Sequence, residues 1–160
     1  MKKLILLLLL FISCNPFLKQ GNFQARLEPV YIDKSFLKHE IIEIRRCLDC
    51  WQDATNGTVT FSEQEKYDTT YLFISKNHSL SSKVLNIEFK TKHGINGHYY
   101  NNEIIIVYDK GLIYQTCLHE IGHFLGLDHN NNYSIMNPSF TYELNKPTQN
   151  DLNSLAEILK

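Results

Sequence analysis

The segment His119-Glu120-Ile121-Gly122-His123-Phe124-Leu125-Gly126-Leu127-Asp128-His129 constrains this chain more tightly than any other stretch. An α-helix turns about 100° per residue, so positions four apart stand roughly 40° apart around its axis. His119 and His123 therefore project from one face, a turn apart, and can share one metal ion. Glu120 is rotated by one residue, close enough to touch a metal-bound water without ligating the metal. A continuing helix would carry later residues away from that face. Gly126 lets the backbone take a left-handed turn at little steric cost, and the reversal brings His129 round to the other two histidines. Three neutral imidazoles leave a fourth tetrahedral position open, as a catalytic zinc site requires and a structural one does not. The shorter H-E-x-x-H pattern recurs by chance. The turning glycine and a third histidine at this spacing rarely accompany it.

On the N-terminal side, Gly111 precedes the helix, expected from Leu112 to about Leu125. The stretch from Leu127 to Lys146 reads as an irregular loop long enough to have a functional role. Thr148-Gln149-Asn150-Asp151 has the form of a helix start, with Thr148 as cap and Asp151 in the first turn. Leu152, Leu155, Ala156 and Leu159 form that helix's inward face. Upstream, Glu103 to Tyr108 is an apolar run suited to a strand buried on both faces. Val84 to Phe89, Tyr71 to Ile74, Val59 with Phe61, and Val30 to Ile32 are further strand candidates. Leu37, Ile41, Ile44, Leu48 and Trp51 recur at three- and four-residue steps and predict a helix that Asn56-Gly57 ends. Strand, helix, several strands, helix, loop, helix describes an α/β (α+β) domain whose twisted, mixed sheet is mostly parallel. An active-site helix and a C-terminal helix complete it.

The chain has 160 residues, enough for one domain with a real core, and a formal net charge of -1. No long run of one charge sign favours nucleic acid as a partner. Met1-Lys2-Lys3 followed by the apolar run Leu4 to Ile12 reads as a signal peptide, too short to span a bilayer. Ser13-Cys14 directly after it resembles the lipobox of bacterial lipoproteins, in which the cysteine is lipidated and becomes the first mature residue. The expected division is a signal peptide at 1–13, a short tether at 14–28 and a catalytic domain at 29–160. Export makes the surroundings oxidising. Cys47, Cys50 and Cys117 read as core cysteines with one disulfide at most; the C-x-x-C lacks the second pair a four-thiolate zinc site needs.

The extended histidine motif is that of the metzincins, and Ser134-Ile135-Met136-Asn137-Pro138 is similar to their methionine turn. The resemblance implies a zinc endopeptidase with Glu120 as general base and Met136 as a hydrophobic floor beneath the histidines. Pro138 stands where astacin-like and serralysin-like members carry a ligating tyrosine. The matrixin branch matches better. Trp51 with Val59-Thr60-Phe61 is similar to its first helix and second strand, Pro138-Ser139-Phe140 to its specificity-pocket wall, and Thr148 to Leu152 to its last helix. The resemblance covers about Pro29 to Leu159. It departs in Asn130, in having no segment between Cys14 and Pro29 that resembles the inhibitory propeptide, and in its sparse acidic residues. Structural calcium is therefore unsupported, and His93 and His98 are expected as solvent-facing loop residues.

Implied partners are a polypeptide substrate, paired along Val84 to Phe89, and a membrane reached through the lipid anchor at the cell envelope. Two rivals remain. Glu143, twenty residues beyond His123, could replace His129 as third ligand, but Gly126 and Met136 would then have no task. A non-catalytic zincin-fold binding lipoprotein would have no use for Glu120.

Overall fold

The computed structural model describes residues 23–77, 97–107, 113–139 and 144–160. Eight elements run in the order β1 (Arg26–Ile32), α1 (Lys38–Ala54), β2 (Val59–Glu63), β3 (Leu72–Asn77), β4 (Gly97–Tyr100), β5 (Glu103–Val107), α2 (Ile113–Phe124) and α3 (Gln149–Ile158). The sheet order is β2-β1-β3-β5-β4. All neighbours pair in parallel except β4, which runs antiparallel to β5 at one edge.

Alternation sets the core face. Val30 and Ile32, Leu72 and Ile74, and Ile104 and Ile106 are buried on the side that meets the helices. Ile105 points the other way and is buried as well, so β5 is covered on both faces as its apolar run predicted. Helix α1 presents Ile44, Cys47, Leu48 and Trp51 to the same core at the expected spacing. Asn56 at φ 51° and Gly57 at φ 75° end it in the left-handed region. Leu37, expected on the apolar face, is instead the exposed residue before the helix. Its N–H donates to the Glu40 carboxylate at 2.6 Å. Glu40 is fully buried and meets Lys76 of β3 at 2.7 Å.

Two further expectations change, and a third is not tested. Strand β1 begins at Arg26, inside the stretch 14–28 read as a tether, and Arg26 and Glu28 form an ion pair there. The sequence hides this because Pro29 interrupts the strand. Pairing with β3 starts only at Val30, so the missing proline N–H costs little. His98 is not in a solvent-facing loop; it lies half-buried in β4. The strand is created by a tight hairpin in which Asn101 and Asn102 both take positive φ, 49° and 61°, a turn type that asparagine favours. Val84 to Phe89, the expected substrate strand, and His93 lie outside the described residues.

Candidate metal centre

Helix α2 lies against α1, β4 and β5. Trp51, fully buried, donates its indole N–H to the Leu118 carbonyl at 3.0 Å and anchors this helix to α1. The helix stops in a Schellman arrangement. Gly126 N–H donates to the His123 carbonyl at 3.0 Å and Leu127 N–H to the Gly122 carbonyl at 2.9 Å. Gly126 itself has φ 100°, a conformation costly for any residue with a Cβ. This is the reversal the sequence predicted, and it brings His129 back to α2.

The Nε2 atoms of His119, His123 and His129 form a triangle with every side 3.1 Å. Two of the rings have their Nδ1 against backbone carbonyls, His119 at 2.6 Å from Ile135 O and His123 at 2.8 Å from Leu127 O. A carbonyl only accepts, so the single ring proton of each neutral imidazole sits on Nδ1. Their Nε2 lone pairs then face each other with no proton between them, an arrangement that a cation relieves. Tetrahedral ligands at about 2.0–2.1 Å from zinc stand roughly 3.3 Å apart, so the donor set fits that ion in spacing and chemistry. Burial pushes the His119 pKa down to about 4, against the raising effect of the Ile135 carbonyl, and also lowers His123. Both are therefore neutral, and ligand-competent, near pH 7.

Glu120 lies on the turn between the two helical histidines and is almost wholly buried. Desolvation raises its carboxyl pKa to about 8, opposed by a hydrogen bond from the Tyr99 backbone N–H in β4. Gly97 makes this contact possible. A Cβ there would lie 3.0 Å from Glu120 Oε1 and closer still to the Thr116 methyl. Edge strand β4 is thus seated directly on the face of α2 that carries the glutamate.

The loop after His129 closes beneath the triad. Met136 is fully buried, and a Cβ on Gly122 would collide with its Sδ. Gly122 is therefore the notch that lets Met136 lie under α2 between His119 and His123. One carboxylate, that of Asp151, holds this turn. It accepts a hydrogen bond from Ser134 Oγ, another from Ile135 N–H at 3.2 Å, and bonds from the Thr148 N–H and hydroxyl at 2.7 Å each. Ser134 Oγ in turn accepts from Met136 N–H at 2.8 Å and Asn130 Nδ2 at 3.0 Å. Ile135 thus takes Asp151 on its N–H and His119 on its carbonyl. The sequence pattern places Asp151 at the helix start alone. Its reach to a loop 16 residues away leaves no local signal.

Not every expected residue is gathered at the centre. Pro138 and Ser139, read as pocket wall, are exposed, and Phe140 lies outside the described residues, as does Glu143. Cys47 and Cys117 are core residues as expected, Cys50 is half-buried, and all three carry free thiols.

Comparison with known proteins adds to this geometry. The family model described as Matrixin matches residues 33–159. No curated protein matches the sequence significantly. Among solved structures, the fold is similar to that of high choriolytic enzyme 1, a hatching enzyme zinc-protease from the medaka fish Oryzias latipes. The TM-score is 0.52 at 16% identity, over 88% of this chain and 92% of that one.

Proposed function

The chain belongs to the matrixin family of zinc-dependent peptidases, and on that basis we propose that it is an endopeptidase whose zinc is held by His119, His123 and His129. The observation that carries this reading is the Nε2 triangle of 3.1 Å sides, with the Nδ1 protons of two rings committed to backbone carbonyls. Such outer bonds fix the tautomer and aim the lone pair at the metal.

Zinc, when bound, lowers the pKa of its water and polarises the scissile carbonyl. Glu120 takes a proton from the attacking water and returns it to the leaving nitrogen. Its position supports this role: it sits on the helical turn between the two histidines and is buried from bulk water. The Tyr99 N–H holds the carboxylate in place. Substrate lies extended along a strand edge: Val84 to Phe89 is the candidate from sequence, and β4 beside α2 is an edge strand of the sheet among the described residues. Met136 forms the floor, and the resemblance to matrixins assigns Pro138, Ser139 and Phe140 to the specificity pocket.

The domain reading keeps the division made from sequence, a signal at 1–13, lipidation at Cys14, a short tether at 14–28 and a catalytic domain at 29–160, with β1 opening at Arg26 just ahead of that boundary. The protein is then exported and anchored by lipid at the cell envelope. Digestion of an unbiased peptide library tests the activity. Internal cleavage abolished by chelation and restored by zinc supports an endopeptidase. Zinc-loaded protein that cleaves nothing leaves a binding protein.

A further inference from the structure

Trp51 is the one tryptophan in the chain, and it lies wholly buried on α1 behind the active-site helix. It reaches α2 at two points that belong to one rung of that helix. Its indole Nε1–H donates to the Leu118 carbonyl at 3.0 Å. Its Cζ2, on the benzo edge, would stand 3.4 Å from a Cβ built on Gly122. Residues four apart are the acceptor and donor of one helical hydrogen bond. Leu118 O and Gly122 N–H therefore close the turn that carries His119 and Glu120 and stops just short of His123. A carbonyl has two lone pairs, and the indole takes the one that the helical ladder leaves.

The same notch at Gly122 receives Met136. Its Cε would stand 3.2 Å from that Cβ, and its Sδ nearer still. The indole edge and the thioether thus converge on one hole in the surface of α2, and sulfur beside a ring edge is itself a favourable pairing. The neighbouring Ile135 carbonyl accepts from His119 Nδ1 at 2.6 Å. His119 is held through its backbone by the Leu118 rung and through its ring by the methionine turn. Trp51 reaches both supports.

We propose that Trp51 is a positioning residue of the metal centre. It sets how α2 stands against the methionine turn, and so where His119 Nε2 meets those of His123 and His129. Losing the indole N–H leaves the Leu118 carbonyl its helical partner, so the turn persists and its placement slackens. This deepens the reading of the three histidines as zinc ligands and rests on it.

The test measures zinc affinity by competition with a chelator, and the visible absorption of the Co²⁺-loaded protein, for wild type, Trp51→Phe and Ile74→Ala. Trp51→Phe keeps an apolar ring in the core and removes the N–H and the benzo edge. Ile74→Ala removes buried packing in β3 and none of these contacts. Trp51→Phe should bind zinc about tenfold more weakly and shift the Co²⁺ spectrum, while Ile74→Ala matches wild type in both. Wild-type affinity in Trp51→Phe overturns the proposal. So does an equal weakening in Ile74→Ala, because general loss of packing would then suffice. A wild type that takes up no zinc removes the zinc reading itself, and the proposal with it. Should Trp51→Phe fail to fold, wild type decides alone, because coupling is reciprocal. If the indole contact favours zinc, zinc favours the contact. The single indole N–H signal should then exchange with solvent about tenfold more slowly in zinc-loaded protein than after chelation. Equal rates overturn the proposal.

Discussion

The two halves of the molecule are held together differently. In the N-terminal half, β1 to β3 and α1 are fixed by backbone ladders and by apolar burial of Val30, Ile44, Leu72 and Ile74. In the C-terminal half, the stretch from α2 to α3 buries Leu118, Ile121, Met136 and Leu155 in the same core and is fixed in addition by single directional bonds between side chains and backbone. Asp151 binds the methionine turn, Ile135 O binds His119, and Leu127 O binds His123. Burial is non-directional and tolerates small shifts. A ligand nitrogen aimed at a metal does not. Trp51 apart, substitutions in the first half should therefore cost stability and spare the chemistry, while those in the second should cost chemistry well beyond any loss of stability.

The largest effect should come from Glu120→Ala. Removing the base and no ligand is expected to lower kcat/KM by about 10²–10⁴-fold while zinc content stays at the wild-type level. Steady-state hydrolysis of a peptide beside metal analysis decides this, and a variant that cleaves at near wild-type rates contradicts it. Next is Ile74→Ala, in the centre of β3 and at 0% exposure. It should lose about 2–5 kcal/mol in denaturant unfolding, with the kcat of the folded fraction unchanged. A collapse of kcat without loss of stability would erase the contrast between the halves. Asp151→Asn probes the same contrast from the other side. It replaces one carboxylate oxygen by a donor, so either Ser134 or Ile135 loses its acceptor. Competition with a chelator should show zinc binding weaker by about 10–100-fold, and unaltered affinity would mean that the methionine turn holds itself.

Local parts of this design are legible in the sequence, and the long-range ones are concealed. The His119, His123 and Gly126 spacing follows from helix geometry, so the triad and its reversal can be placed from residue positions alone. The Thr148 cap and the α1 face are readable on the same terms. Strand β4 is not, because Gly97 to Tyr100 is short and its hairpin signal is a pair of asparagines. The partners of Trp51 and Asp151 are hidden for another reason. Their bonds run to Leu118 and Ile135, and nothing in the local pattern says where a buried indole or carboxylate will find its partner. The ligands are thus easier to read from sequence than the bonds that aim them.

The smallest effect on catalysis should follow Cys14→Ser. Membrane fractionation is expected to find this variant released or unprocessed, while the purified protein cleaves peptides as the wild type does. An unmodified mature N-terminus beyond Cys14, read by mass spectrometry, rules out the lipid anchor.

The identity of the third ligand decides whether the reversal at Gly126 exists to build a metal site. Zinc content of purified His129→Ala and Glu143→Ala, measured side by side against wild type, answers this. Wild type and Glu143→Ala should each retain one zinc per chain, and His129→Ala should lose most of it on dialysis. Retention by His129→Ala together with loss by Glu143→Ala would contradict the three-histidine centre.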